Sequence, residues 1–558
     1  MSTLCTSLLL AALSLLTLCI WWQRKYWIFI WQVNGVRGLL HQPLLWLVLL
    51  LFMDQKTILS VVCRVRRCFK SPLAIYLGRR LLLYVDDPAT MEQILNSPDC
   101  LDKTFMQEGF FARKGLLHAK GQQWKICRKQ LNPAFSTNIL LSFFPIFNAV
   151  SVRLQSKYND LLGDEIKYIE MEDVISRAVL DIACQTTMGT EVNFLEQDDD
   201  NIAGCYKMLM HISAVKIVKP WLQNDFLFRL LNRKLYVSDK KCYSLVDNFV
   251  NKIVTRKYCE WQRKQKLDFT TETDSCQDVE DSDDGVATEA SVELRNKSAD
   301  NDSLRKRIFI EQVFQLAENG ELTLQDIIDE SHSMVMVASE TVTNNLLIAL
   351  LLLAMHTNCQ HKLRHEIHET FSIKITTFNQ NIEFTNTTNE ITNEHLKQMP
   401  YLDMVVNESL RLLTTVPMNS RNVNKDFPLR LKQAKSAYIT IPAGTIVVND
   451  IFNMQRDPKY WGSRALEFHP EHFAEQTSAP DLLERRHPYA FIPFSKGLRW
   501  CIGGRYSIWL TKILLIRLIQ NYEFDTTTKL DDLHFIEGVT LKFYNSEHIT
   551  FTIKRVSK

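Results

Sequence analysis

The sequence lacks a surplus of charge of either sign. Its 65 lysines and arginines nearly balance 63 aspartates and glutamates, which leaves a formal net charge of +2 over 558 residues. Proteins whose main partners are nucleic acids or other polyanions carry a strong basic excess or a basic stripe. We therefore expect no nucleic-acid partner.

The sequence also lacks the cysteine patterns of disulfide scaffolds and zinc sites. Its 13 cysteines are scattered, and no two of them form a C-x-x-C pair. This spacing argues against both kinds of cross-link. Cysteines such as Cys184 and Cys205 lie in apolar stretches, which is typical of small buried hydrophobic residues in a reducing compartment.

Charge is absent from the first part of the chain. No charged residue occurs from Met1 to Trp22, and this run is about long enough to cross a hydrocarbon core. Two tryptophans end the run, and Arg24 and Lys25 follow it, which predicts a single transmembrane anchor over residues 1–24 with the rest of the chain cytoplasmic. The alternatives are a cleaved signal peptide and a transit peptide, but the run has no basic n-region and no Arg/Ser-rich amphipathic pattern.

The remaining chain divides by composition. Residues 25–59 are interpreted as a linker whose apolar run, Leu44 to Met53, is too short to span and fits either an interfacial segment or a core helix. Residues 60–558 are predicted to form one globular catalytic domain. Within it, residues 268–304 are rich in acids, Ser and Thr, and we expect a disordered surface insertion, either a solvated loop or a regulatory segment.

Helical periodicity dominates the domain, so we predict a mainly α fold with small β sheets. The longest helix is expected from Thr323 to about His356, because Thr323 and Asp326 supply a capping box and the stretch contains no Gly or Pro. Glu340 and Thr341 interrupt its apolar centre. A carboxylate inside a central helix is costly unless it has a partner or a function.

One cysteine has an unusual setting. Cys501 lies in FIPFSKGLRWCIGG, Phe491 to Gly504, just before an apolar helix. A thiolate ligand needs amide donors, a helix N-terminus and an apolar wall, and Gly503 would allow a flat group to approach the backbone. For a cysteine taken alone, a buried structural thiol is the alternative.

The whole string F-S-K-G-L-R-W-C-I-G resembles the haem-ligand signature of the cytochrome P450 superfamily, and HPYAFIPFSKGLRWCIGGRY is similar to the version in its family-4 clan, with an insect-like character. The resemblance covers roughly Ser60 to the C-terminus. It implies the cytochrome P450 fold, with the Cys501 thiolate as axial ligand of haem iron and with Phe494 and Gly503 beside the cofactor.

Two further segments resemble family motifs that contact the haem propionates. Trp124 and Arg128 in GQQWKICRKQLNPAF match a W-x-x-x-R helix, and the resemblance also assigns Arg421 and Arg499 to the propionates. Taken alone, Trp124 and Arg128 fit a buried tryptophan beside a surface arginine better than a cofactor contact.

A structural motif is also matched. Glu408 and Arg411 lie one helical turn apart and resemble the E-x-x-R pair of the superfamily, although an exposed ion pair would give the same spacing. His472 stands where the P-x-R-F motif has an arginine, and it could still donate a hydrogen bond to Glu408.

The central segment VASETV departs from the family pattern. Ala338 replaces a glycine that faces the cofactor, Glu340 and Thr341 retain the acid and the alcohol, and Val337 replaces the glutamate that can esterify a haem methyl. The resemblance therefore implies haem b without a covalent link. It also implies that Glu340 and Thr341 deliver protons through water, at a point where the helix opens locally.

The implied function is a monooxygenase that inserts one atom of O2 into a fatty acid, hydrocarbon, steroid or isoprenoid hormone, or xenobiotic. Electrons would come from NADPH through NADPH–cytochrome P450 reductase, with cytochrome b5 as a second possible donor, at the endoplasmic reticulum membrane. The docking face is expected to include Arg128, Lys129 and Lys496. The alternatives are a reductase-independent haem-thiolate isomerase or dehydratase, and an inactive haem-binding membrane protein.

Overall fold

A computed structural model describes most of the chain between residues 61 and 556, and isolated residues between 13 and 24. The described ranges are 61–64, 66, 71–77, 80–104, 115–162, 167–168, 171–197, 201–277, 307–372, 390–430, 438–474, 486–536, 540–543 and 551–556. The prediction of a mainly helical protein with small sheets is confirmed. The apolar run Leu44 to Met53 lies outside the described residues.

Helices make up most of the described chain. They are α1 (Pro88–Asn96), α2 (Gly121–Leu131), α3 (Thr137–Ser142), α4 (Phe144–Leu162), α5 (Met171–Met188), α6 (Asn201–Val218), α7 (Asp225–Leu231), α8 (Arg233–Gln277), α9 (Phe309–Glu318), α10 (Leu324–Met355), α11 (Thr357–Ser372), α12 (Asn393–Lys397), α13 (Pro400–Leu412), α14 (Ile451–Met454), α15 (Pro458–Trp461) and α16 (Gly504–Asn521).

The strands are short and form small sheets. They are β1 (Leu73–Leu77), β2 (Arg80–Val85), β3 (Lys167–Tyr168), β4 (Met418–Asn422), β5 (Phe427–Leu429), β6 (Ile439–Ile441), β7 (Ile446–Asp450), β8 (Tyr522–Asp525), β9 (Phe535–Ile536), β10 (Lys542–Phe543) and β11 (Thr552–Arg555). The largest sheet has the order β1-β2-β7-β4, and only its β2–β7 pair is parallel. The smaller sheets are β3-β11-β8, β5-β6 and β10-β9.

Helix α10 crosses the centre of the domain. Thr323 caps it and forms the expected box with Asp326, and the helix ends at Met355, immediately before His356. It packs against α5, α13 and α16, and most of its C-terminal half is fully buried. Burying an aliphatic side chain stabilises the fold by about 1.5–3 kcal/mol, so the C-terminal half of this helix organises the core through hydrophobic contact.

The predicted start of the acidic insertion at residue 268 is wrong. Helix α8 continues to Gln277, because no Gly or Pro interrupts the chain between Arg233 and that residue. Acidic, Ser-rich composition lowers hydrophobic burial but does not by itself end a helix that is already formed. The rest of the predicted insertion lies outside the described residues.

Two described segments are long and apolar enough to cross a membrane. They are Thr137–Leu162 and Leu324–Met355, and 50% and 72% of their most apolar windows are buried inside the protein. Such burial is typical of core helices. The predicted anchor over residues 1–24 lies mostly outside the described residues; those of its residues that are described are helical, and the apolar ones, such as Leu18 and Trp21, are exposed.

Candidate active site

A cavity of about 640 Å³ lies between α10 and the loop that precedes α16. Its size falls within the range of about 300–1,000 Å³ that is usual for ligand and cofactor pockets. All the residues that the sequence assigned to catalysis or cofactor binding line this one cavity. They are Trp124, Arg128, Ala338, Glu340, Thr341, Arg421, Phe494, Arg499, Cys501 and Gly503.

Cys501 lies just before the N-terminus of α16. Its backbone N–H donates to the Phe494 carbonyl at 3.0 Å, and Gly503 is the residue that caps the helix. Burial raises the pKa of the Cys501 thiol, whereas the Gly503 N–H and the positive charges of Arg128 and Lys103 lower it. A coordinated metal ion would deprotonate the thiol outright. The surroundings therefore suit a thiolate that is bound to a cation.

The loop that carries Cys501 is fixed by glycine. Gly497 has a φ of +74°, and a Cβ atom there would lie 2.2 Å from the Leu95 carbonyl oxygen. The Leu498 N–H donates to the same carbonyl at 3.1 Å. At Gly503, in contrast, a Cβ atom would meet nothing within 4 Å, so its backbone borders open space. The glycines thus hold the loop against α1 on one side and leave room on the other.

Arg499 and Trp124 form a stacked pair at the edge of the cavity. The Arg499 guanidinium lies 4.5 Å from the centre of the Trp124 ring. Its N–H groups donate to the carbonyls of Leu101, Leu116 and Ala119. Arg499 therefore anchors the segment that leads into α2, which is a structural role that the sequence did not indicate.

Five cations line the cavity. Arg66 forms ion pairs with Asp86 and Asp457, and the other four are Lys103, Arg128, Arg421 and Arg499. Burial lowers the pKa of Arg421 to about 10, and burial together with the charges of Arg421 and Arg128 lowers that of Arg499 to about 9. The pKa of Lys103 is also lowered, by burial and by Arg499 and Arg421. Within the described ranges no carboxylate forms an ion pair with any of the four. The cluster therefore favours an anionic ligand.

Among these cations, Arg128 most clearly lacks a partner for its charge. Its Nη2 atom is buried and, among the described residues, has no hydrogen-bond partner, while its guanidinium lies 5.0 Å from the centre of the Trp500 ring. A buried, unpaired guanidinium donor is costly. Arg128 thus belongs to the cavity, in contrast to its predicted place on a docking face, whereas Lys129 is exposed.

Sequence reasoning missed Lys103. It stands outside the motifs that resemble the family and precedes a segment, 105–114, that lies outside the described residues. Only the fold brings it beside Arg421 and Arg499. No local pattern could have indicated this, because a single lysine in a polar stretch is ordinarily solvated.

Thr341 does not open the central helix. Its hydroxyl donates to the Val337 carbonyl one turn earlier at 2.7 Å, and α10 is continuous through this point. The predicted local opening is therefore wrong in this structure, because the threonine hydroxyl bonds back to its own helix. The side chain still borders the cavity.

Glu340 has a partner that the sequence did not indicate. Its Oε1 atom lies 2.9 Å from Lys542 Nζ and accepts a hydrogen bond from the Thr540 hydroxyl at 3.1 Å. Both partners belong to the C-terminal segment that carries β10, about 200 residues away in sequence. This contact explains how a carboxylate is tolerated inside the central helix.

The Glu408–Arg411 pair is fully buried, so the exposed ion pair considered above is excluded. Arg411 Nε and Nη2 donate to the two Glu408 oxygens at 2.7 and 2.8 Å. Arg411 Nη1 also donates to the carbonyls of Gln455 and Ala465, which ties α13 to the chain that precedes Cys501.

His472 takes part in the same network. Its Nδ1 lies 2.9 Å from Glu408 Oε1. Burial opposes ionisation of Glu408, but hydrogen bonds from Arg411 and His472 outweigh it and hold the pKa of the carboxyl below 4.5. A histidine thus supplies the contact at the position where the family motif has an arginine.

The comparisons with known proteins agree with this geometry. The Cytochrome P450 family model matches residues 39–547. This chain belongs to the cytochrome P450 family. It is 44% identical to "Probable cytochrome P450 318a1" of Drosophila melanogaster, over 97% of this chain and 96% of that protein.

Other insect P450s are similar as well. "Probable cytochrome P450 313b1" of Drosophila melanogaster is 32% identical over 94% of both chains. "Cytochrome P450 4c21" of Blattella germanica is 29% identical over 84% of this chain and 83% of that protein, in line with the family-4 resemblance. The predicted family and its insect-like character are confirmed, and the P450 is a monooxygenase of the haem-iron class.

The cavity of this P450 fits an iron porphyrin. Cys501 offers a thiolate at one wall, Gly503 leaves open space for a flat ring, and the unpaired Arg128 donor with three further cations suits two carboxylates. Val337 lines the cavity and has no carboxyl group for an ester link.

We predict that His472→Ala lowers the free energy of unfolding by about 2 kcal/mol, because it removes one charge-assisted hydrogen bond to buried Glu408. Since the pKa of Glu408 is depressed on folding, this contribution is complete above a pH of about 4.5 and is lost as the pH falls below that value. Denaturant unfolding at several pH values measures both effects. His469→Ala, which removes a partly exposed neighbouring ring, is the control, and equal losses in the two variants would contradict the assignment.

For Arg128→Met we predict opposite effects on the two forms of the protein. Loss of haem to an excess of apomyoglobin should be about 10- to 100-fold faster, because a charge-assisted contact is removed. The haem-free chain should become more stable, because an unpaired buried charge is removed. The exposed neighbour, tested as Lys129→Met, should change neither. An unchanged rate of haem loss in Arg128→Met would show that Arg128 does not hold the cofactor.

Proposed function

We propose that this P450 is a membrane-attached haem-thiolate monooxygenase, with non-covalently bound haem b, that inserts one atom of O2 into a lipophilic substrate. The observation that carries the proposal is the single cavity that joins Cys501, the cation cluster and Glu340 with Thr341. Bound haem supplies the oxidising chemistry, and the protein supplies binding, orientation and protons.

The cavity wall supports a lipophilic substrate. Away from the cations it is mainly apolar and aromatic, and side chains from α6, the turn that follows it, α9 and α10 contribute. Examples are Met210, Ile217, Trp221, Phe309 and Met334. Such a wall excludes water and binds fatty acids, hydrocarbons, isoprenoids, steroids or apolar xenobiotics through buried area and not through hydrogen bonds.

The groups that meet the haem have separate tasks. Arg128, Arg421 and Arg499 with Trp124 would neutralise and orient the propionates. Cys501 would hold the iron, and Phe494 would cover the sulfur side. Glu340 and Thr341 on α10 also line the cavity, where they would hold water and pass protons to the reacting oxygen.

Membrane attachment is supported by exposed apolar side chains besides the predicted N-terminal anchor. Phe226, Leu230, Leu231 and Val237 are each more than half exposed, on α7 and the start of α8. Basic residues lie between them in the same stretch, which suits contact with an anionic bilayer surface. We propose the endoplasmic reticulum membrane as the site.

Electrons would arrive from NADPH through cytochrome P450 reductase, with cytochrome b5 as a second donor. The surface outside the Cys501 loop supports an acidic partner, because Lys496 and Lys129 are charged there and Leu498 and Trp500 are exposed apolar side chains. Complementary charge guides encounter, and the apolar side chains would be covered in the complex.

The ligand assignment is tested by Cys501→Ala. The variant should lose the strongly red-shifted absorption of the reduced carbonyl complex, because that band requires the thiolate. Cys359→Ala removes another partly buried cysteine, far along the chain, and should retain the band. A retained band in Cys501→Ala would refute the proposal.

The proton-delivery assignment is tested by Thr341→Ala. Product formed per NADPH consumed should fall at least about tenfold, because the hydroxyl that holds water in the cavity is lost. Thr341→Ser keeps the hydroxyl and should remain coupled. Equal coupling in wild type and Thr341→Ala would remove Thr341 from the mechanism while leaving the haem assignment intact.

A further inference from the structure

A second carboxyl group is buried on the central helix, outside the cavity. Glu330 on α10 is only 4% exposed, and the residues of α10 that line the cavity begin at Ser333. Its Oε2 atom is buried and, among the described residues, has no hydrogen-bond partner. A buried carboxyl oxygen without a donor is costly. Glu330 takes no part in the chemistry proposed above, so its cost is not explained by that chemistry.

The Glu330 carboxyl packs against a glycine. A Cβ atom at Gly115 would lie 2.8 Å from both Cδ and Oε2 of Glu330. Gly115 also has a φ of +93°, which glycine adopts without strain. The next residue, Leu116, donates its backbone N–H to the carboxyl. The absence of a side chain at Gly115 therefore lets the carboxyl lie directly against this backbone.

Residues 115–119 form a compact turn. The Gly115 carbonyl accepts hydrogen bonds from the N–H groups of His118 at 3.0 Å and Ala119 at 2.9 Å. Two hydrogen bonds to one carbonyl fix the path of a short segment. A contact at the start of this turn therefore positions the turn as a unit.

The 115–119 turn forms part of the cavity wall, because Leu116 and Leu117 both line the cavity. The backbone of Leu116 is held on two sides. Its N–H donates to Glu330 on α10, and its carbonyl accepts from Arg499 Nη1 at 3.5 Å. The turn is thus fixed between the central helix and the loop that precedes α16, and a shift of the turn would change the shape of the cavity.

The charge of Glu330 strengthens its contact with the turn. Burial raises the pKa of Glu330 to about 7, and the charges of Asp326 and Asp329 also oppose ionisation, whereas the Leu116 N–H lowers the pKa. The Leu116 N–H therefore stabilises the ionised carboxyl. Hydrogen bonds to ionised groups are roughly twice as strong as those between neutral groups. The contact that fixes the turn thus offsets part of the cost of burying the carboxyl.

We propose that Glu330 is a positioning residue for substrate specificity, which fixes the 115–119 turn so that Leu116 and Leu117 form a defined part of the cavity wall. A ligand that fits against a preformed wall binds without the cost of ordering it. Glu330 touches neither substrate nor cofactor and acts only through the turn. The inference rests on the proposed monooxygenase function and adds a residue that selects among its substrates by size.

The test measures the binding of two imidazoles to the haem-loaded protein through the shift in haem absorption. Imidazole is too small to press on the turn, whereas clotrimazole, a bulky triphenylmethyl imidazole, fills the space around the iron. In Glu330→Ala the turn loses a charge-assisted contact, so the Kd of clotrimazole should rise about tenfold while that of imidazole stays unchanged. Glu330→Gln keeps an acceptor for the Leu116 N–H and should bind both imidazoles as the wild type does.

A second variant tests the contact from the side of the turn. Gly115→Ala places a Cβ atom against the carboxyl and should cause the same selective loss. Gly320→Ala is its matched control, because Gly320 has a φ of +75° but a Cβ atom there would meet nothing within 4 Å. Asp329→Ala is the control for Glu330→Ala, because it removes a neighbouring carboxylate whose partner is Gln325. Neither control should change either Kd.

Glu330→Ala and Gly115→Ala act on one contact, so the double variant should lose no more clotrimazole affinity than either single variant. A loss confined to clotrimazole supports the inference, because a general loss of folding would weaken both imidazoles. Equal changes for both imidazoles, no change in Glu330→Ala, or additive losses in the double variant overturn it. If Glu330→Ala does not fold, Gly115→Ala measured against Gly320→Ala still decides. Absence of any imidazole-induced shift in the wild type would instead refute the proposed function.

Discussion

The constraint on which the site depends is positive charge enclosed without protein counter-charge. Four of the cations that line the cavity, Lys103, Arg128, Arg421 and Arg499, have no carboxylate partner among the described residues. In a medium of low polarity, like charges repel strongly and unpaired donors are costly. The fold itself must therefore hold these groups together, and a dianionic ligand would relieve the repulsion. Cofactor binding and stability are coupled through this cluster.

Two buried hydrogen-bond networks hold the segments that carry these cations and Cys501 in place. Arg411 binds both oxygens of Glu408 and two backbone carbonyls, and so fixes α13 to the chain leading to Cys501. Arg499 binds three carbonyls in the segment before α2. Both arginines act as cross-links between loops that have little regular structure of their own. The substitution of histidine at position 472 shows that Glu408 needs a donor and not specifically a guanidinium.

The sequence predicted what depends on local pattern and on long motifs. The capping box at Thr323 and the spacing of the apolar residues predicted both ends of α10 to within one residue, and the residues predicted for catalysis or cofactor binding do line one cavity. Lys103 and Lys542 were missed because their roles come only from tertiary proximity. The helical opening at Thr341 was wrong because a hydroxyl in a helix can satisfy the preceding turn. The acidic composition from residue 268 onward led to a wrong prediction of where α8 ends, because a helix is ended by Gly and Pro more than by acidic residues.

The cations near Cys501 and the carboxylate of Glu340 are balanced in different ways. Lys103, Arg128, Arg421 and Arg499 have no carboxylate partner among the described residues, so the balance of their charge is left to a bound group that stays in place. At Glu340, the chain supplies its own counter-ion from β10, and that ion has a second carboxylate within reach. Cations in fixed positions suit a ligand that stays bound, because movement of these side chains would weaken its binding. At Glu340, in contrast, the same Lys542 ammonium lies within ion-pair distance of two carboxylates, so the protein balances the charge on this part of the cavity without a ligand.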